Sequence, residues 1–253
     1  MGQLPPPTAW RASDGTLEGV RRRAGGLLAA LAAGLLASAC GGGSFEGLMD
    51  IGVCDPDAGT FSTEIDNPFF PLPVGHRIVL EGDERGRPLT VRITVLDETE
   101  TVAGVETRVV EEHESAGGRV EEISRNYFAQ AGDGTVCYFG EEVDVYDAEG
   151  NVVSHGGAWR ADDPGNRPGI FMPAEPAVGQ AFQQEIAPGI AEDQAKVVAL
   201  GESTEVPAGT FTETATLLDR DVLSGGEDRK VYARGIGLIV DGPAGMTAFD
   251  PAS

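Results

Sequence analysis

The sequence predicts an all-β domain of antiparallel strands, and three observations carry that prediction. Val91, Ile93 and Val95 alternate with Arg92 and Thr94, the period of two that gives a strand one buried face. Turn signals recur at short intervals: Ala103-Gly104, Gly117-Gly118, Asp133-Gly134, Glu149-Gly150-Asn151 and Gly225-Gly226. Such dipeptides supply the positive φ that tight hairpins require. After Cys40, no stretch keeps a sustained helical period.

The two halves of the chain also repeat. Val74-Gly75 returns as Val178-Gly179, Glu98-Thr99 as Glu202-Ser203, and Arg125-Asn126-Tyr127-Phe128-Ala129 as Arg229-Lys230-Val231-Tyr232-Ala233, each 104 positions later. Val102-Ala103-Gly104 returns as Val206-Pro207-Ala208-Gly209 with one inserted proline, and the aromatic lead-in Asn67-Pro68-Phe69-Phe70-Pro71 has a loose partner in Gly169-Ile170-Phe171-Met172-Pro173. A constant offset predicts two duplicated meanders, over residues 66–140 and 170–242, forming one curved sheet, a half-barrel or a sandwich. Residues 141–169 are then a connecting excursion with a hairpin at Asp147-Ala148-Glu149-Gly150. The β domain is expected over 61–242, with 243–253 as a tail.

Ahead of this domain lies an export signal. Arg21, Arg22 and Arg23 precede an uncharged run, Ala24 to Ala39, built only from Ala, Gly, Leu and Ser. A basic region, a short apolar run and small residues before a cut point are the parts of a secretory signal. The run is shorter than the ~20 residues a spanning helix needs. Residues 1–39 are therefore expected to be the signal, and Val20 offers an alternative start that would shorten it. The phrase Leu36-Ala37-Ser38-Ala39-Cys40 resembles the lipobox of bacterial lipoproteins, which implies that Cys40 becomes the acylated first residue. Ala37-Ser38-Ala39 also fits ordinary cleavage, which would release a soluble chain. Residues 40–60, with Gly41-Gly42-Gly43-Ser44, read as a lipidated cysteine and its flexible tether. The expected localisation is the extracytoplasmic side of a membrane.

Removing residues 1–39 leaves 14 basic and 39 acidic side chains. That balance disfavours nucleic acid and anionic headgroups and attracts cations. Of the three cysteines, Cys54 and Cys137 remain once Cys40 is assigned to lipid, and in an oxidising compartment a disulfide is the default.

Several phrases resemble a large group of bacterial secreted proteins and lipoproteins. They are Ile65-Asp66-Asn67-Pro68-Phe69-Phe70-Pro71-Leu72 with Gly75, then Val206-Pro207-Ala208-Gly209-Thr210-Phe211, and Tyr232-Ala233-Arg234-Gly235-Ile236-Gly237-Leu238. The likeness spans nearly all of residues 61–242 and implies no catalytic residue.

Motifs for chemistry are sparse. His76, His113 and His155 lie far apart without zinc spacing, and no nucleophile elbow, Walker loop or dinucleotide pattern is found. No cofactor is implied. Asp55-x-Asp57-x-Gly59 and Asp147-x-Glu149-Gly150-Asn151 alternate oxygen ligands as calcium sites do, without the remainder of such a loop. Two clusters are worth following. Phe69, Phe70, Phe171 and Met172 are candidates to line an apolar pocket, or to plug the open end of a β core. Glu185, Glu192 and Asp193 form a candidate polar site, or simply face water beyond the Pro188-Gly189 turn. The expected role is a membrane-anchored, non-enzymatic binding domain for a small apolar ligand or an envelope protein. The rivals are a solid interaction domain and an enzyme with a carboxylate site.

Overall fold

Alternation and turn chemistry produce the strands, and the repeat decides how they are joined. The computed structural model describes residues 45–252. The chain enters through a 3₁₀ turn, Ile51–Cys54, capped by Asp50, whose Oδ1 accepts from Gly52 N at 2.9 Å. The first half supplies β1 (Phe61–Ser62), β2 (Arg77–Glu84), β3 (Arg87–Val102), β4 (Val105–Ala116), β5 (Arg119–Ala131) and β6 (Val136–Tyr146). The excursion holds β7 (Val152–Ser154), β8 (Trp159–Arg160) and β9 (Arg167–Met172). The second half supplies β10 (Ala181–Gln183), β11 (Glu185–Ile186), β12 (Gln194–Val206), β13 (Gly209–Arg220), β14 (Glu227–Ala233), β15 (Gly237–Asp241) and β16 (Ala244–Asp250).

All pairings are antiparallel, and the path runs β10-β12-β13-β14-β15-β16-β2-β3-β4-β5-β6-β9-β11. Its two ends belong to one extended segment. Ala181–Gln183 pairs with β12, while Glu185–Ile186 pairs with β9. The sheet therefore curls round until this segment bridges its edges, leaving few unpaired edge groups. Where β9 passes the bridge, a Cβ on Gly169 would lie 2.5 Å from the Gln183 carbonyl oxygen, so only glycine fits that seam.

The internal repeat reappears in one strand and in one turn. A shift of 104 residues carries β4 onto β13 end to end. The turn before β2 has the same counterpart: His76 N donates to Pro73 O at 3.0 Å, and Gln180 N to Ala177 O at 3.0 Å. Gly75 and Gly179 take φ of 86° and 95° there, a region glycine enters without steric cost.

Two boundaries differ from expectation. Residues 244–250, expected as a tail, form β16, which pairs with β15 and β2 and so joins the second half to the first. Ala244 and Met246 are buried on its inner face, a signal too short and too diluted by Gly245 and Thr247 to stand out. The lead-in over 45–60, expected as part of the tether, packs on the barrel. Cys54 is fully buried and bonded to Cys137 of β6.

The barrel is filled differently at its two ends. At one end Phe70, Phe128, Tyr138, Phe171 and Tyr232 form a ring cluster. Toward the other, alternate inward positions of β4 run Val110, Glu112, Glu114, Ala116, and those of β5 run from Phe128 of the ring cluster through Asn126 and Ser124 to Glu122, all buried.

Candidate functional site

The aromatic candidates separate on inspection. Phe70 touches Phe171 (4.6 Å between ring centres) and Phe128 (5.2 Å), and Phe128 lies 4.9 Å from Phe171. Rings at these distances fill the space they enclose, and Met172 is fully buried beside β6. Phe70 also reaches Tyr232, the repeat counterpart of Phe128, so one ring sits between equivalent positions of both halves.

Asn67 holds this lead-in in place. Its Nδ2 donates to Gly134 O (3.1 Å) and Pro173 O (3.0 Å), and its Oδ1 accepts from Phe69 N (3.0 Å). Phe69 points elsewhere: it lies under the Arg234 guanidinium at 4.9 Å and lines a cleft of about 520 Å3 with Leu200, Glu213 and Pro176. A second cleft of about 770 Å3 lies at the same barrel end, beside Leu72, Arg108 and Gln130. Gln130 and Arg234 are repeat equivalents, so the two clefts are counterparts.

Of the polar candidates, two come together and one does not. Glu185 Oε1 accepts from Asp193 N at 2.6 Å. Glu192 instead caps the turn before it, accepting from Gly189 N at 3.1 Å. Glu185 and Asp193 join a larger group that strand register assembles from distant sequence. Asp219 of β13 pairs with Asp228 of β14, and Lys230 of β14 pairs with Asp241 of β15. Lys230 Nζ lies 2.9 Å from Asp219 Oδ2, both side chains being buried.

The electrostatics follow from burial and crowding of like charge. Burial pushes the Glu112 carboxyl well above its ordinary range, and Asp241, Glu114 and Glu122 push it further. Burial, then Asp193, raises Glu185 in the same way. Asp193 is pushed up to about 7 by burial and Asp221, and Asp241 to about 7 by burial, against the pull of Lys230. Burial raises Asp228 to about 6. Burial works against the charge of Lys230, but Asp219 and Asp241 outweigh it and raise the ammonium's pKa.

Hydroxyls from the aromatic end reach toward this region. Tyr138 Oη donates to Asn126 Oδ1 at 2.6 Å. Tyr232, 1% exposed, has a hydroxyl without a hydrogen-bond partner among the described residues, in the field of Asp219, Asp241 and Glu112. Glu112 Oε2 likewise has no hydrogen-bond partner among the described residues. A buried polar atom left unpaired costs about 1–3 kcal/mol.

Among the described residues, no three His, Cys, Asp or Glu side chains converge as a metal site. Both calcium-like stretches are turns: Asp55 Oδ1 accepts from Asp57 N, and Asp147 Oδ1 from Glu149 N and Asn151 N. His76 is half-tied, its Nε2 3.0 Å from Ile236 O, and burial lowers its pKa. Cys40 lies outside the described residues. The chain matches no protein-family model, and no match was found among the curated proteins or the solved structures.

Proposed function

We propose that this chain is an exported, lipid-anchored binding protein whose barrel interior takes a small organic cation, with amine or guanidinium groups, and performs no catalysis. The observation that carries the ligand class is the crowding of buried carboxylates, Asp219, Asp241 and Glu112, around the Tyr232 hydroxyl, which has no hydrogen-bond partner among the described residues, with Lys230 as the cation paired there. Carboxylates so placed either hold protons or bind positive charge, because an isolated buried anion is too costly. A diffuse cation with several N–H donors suits them better than a metal ion, which needs ligands converging on a point.

Export is supported by Arg21–Arg23 with the apolar run to Ala39, and by the Cys54–Cys137 bond, which belongs in an oxidising compartment. The same bond leaves Cys40 without a partner cysteine in the chain, as acylation requires. An apolar ligand is less well supported, since Phe70, Phe171 and Met172 are packed into the core.

Native mass spectrometry with 1,4-diaminobutane, spermidine and arginine tests the ligand class. One bound cation per chain, lost in Glu112→Gln/Asp241→Asn, is expected. No adduct, or adducts equally retained by that variant, would sink the reading.

A further inference from the structure

Leu48, Ile190, Val222 and Leu223 are large aliphatic residues with relative exposures of 39, 40, 43 and 45%. They gather where the described chain begins. Phe45 lies under the Arg220 guanidinium at 4.1 Å, and Met49 N donates to Ala181 O at 2.8 Å, so residues 45–49 run along the edge formed by β10, β12 and β13. Arg220 pairs with Gln194, and the loops flanking that pair carry Val222 and Leu223 on one side and Ile190 on the other. This is the carboxylate-lined end of the barrel, opposite the aromatic cluster.

We infer that this end of the barrel rests on the bilayer, with Leu48, Ile190, Val222 and Leu223 as its contact surface. The inference rests on the lipid anchor at Cys40, and tether length decides the orientation. Five Cα steps separate Cys40 from Phe45, a reach of at most about 18 Å even when fully extended. Phe45 itself lies against Arg220 at the carboxylate end of β13, so the acyl group is held within that reach of the loop carrying Val222 and Leu223. Val74, 40% exposed, instead lines the cleft beside the β5–β6 hairpin at the aromatic end. The two repeat-related clefts then face away from the membrane.

Charge decides how the contact is made. The chain carries a formal net charge of −23, so anionic lipid repels it, and aliphatic insertion beside the acyl group is the attractive contribution.

The test uses the full acylated chain on phosphatidylcholine vesicles with brominated acyl chains, which quench tryptophan on contact. Single variants Leu223→Trp, Val74→Trp and Val198→Trp place the probe at the tether end, the far end and the flank. Trp159, 2% exposed, supplies a constant background. Quenching of the Leu223→Trp signal by about twofold or more, with the other two unchanged, is expected for residues buried in the interfacial region. Equal quenching at Val74→Trp or Val198→Trp would overturn the orientation, as would an unquenched Leu223→Trp on vesicle-bound protein. The mass of the N-terminal peptide separates the two ideas. An acylated Cys40 with the wrong quenching pattern sinks only the orientation, whereas an unmodified Cys40 sinks both.

Discussion

Lys230 stands in a place that would ordinarily strip an ammonium of its proton, and Asp219 and Asp241 prevent that. Breaking such a pair leaves buried carboxylates uncompensated, so Lys230→Met is expected to cost about 3–5 kcal/mol by urea unfolding near pH 8. At about pH 5 the loss should shrink, because Asp193 and Asp241, raised to about 7, are then protonated. An equal loss at both pH values would mean that the cluster does not titrate inside the barrel. The two tyrosines make a sharper pair. Tyr138→Phe leaves Asn126 Oδ1 without its buried donor and should cost about 1–3 kcal/mol. Tyr232→Phe removes a hydroxyl with no partner among the described residues, so stability should stay within about 0.5 kcal/mol while cation binding weakens. Glu185 and Asp193 were legible in the sequence as concentrated polar text, but Asp219, Lys230 and Asp241 were not. They lie on three strands, and only the register Asp219–Asp228 and Lys230–Asp241 brings them together. One signal was available: Glu112 and Glu114 occupy the same alternate positions as Val110 and Ala116, which places acids on a core face.

At the scale of elements, the seam that closes the barrel depends on Gly169. Adding a methyl there forces backbone apart, so Gly169→Ala should destabilise by more than about 2 kcal/mol and speed amide exchange in β9 and β11 first. Uniform exchange across the sheet would show that the seam is not a weak point. The disulfide acts on a longer loop: Cys54 and Cys137 are separated by 83 residues, and replacing both by serine should cost roughly 2–5 kcal/mol in thermal or urea unfolding. The all-β class, the hairpin turns and the 104-residue offset were readable because each is a local pattern, and the β4–β13 match reproduces the offset in the strands. The closing bridge was not readable. Ala181–Gln183 and Glu185–Ile186 are too short for periodicity, and their two partners, β12 and β9, are fixed by sheet curvature rather than by nearby sequence.

For the whole molecule, the buried acids make stability a function of both pH and ligand. Asp193 and Asp241, held near 7 in the fold against 3.8 for the ordinary group, keep protons that the unfolded chain has already released. Their stabilising contribution is complete below about pH 4 and is lost as pH rises through about 7. A bound organic cation lowers those pKa values and restores stability on the alkaline side by displacing protons. Exposed carboxylates, already ionised at neutral pH, would bind the same cation without releasing any. Isothermal titration of 1,4-diaminobutane near pH 7 therefore tests the central claim most directly, run in buffers of different ionisation enthalpy. Saturable binding with release of about one proton per cation is predicted, with the observed heat changing from buffer to buffer. No saturable heat, or heat independent of the buffer, would contradict a cation site among the buried carboxylates.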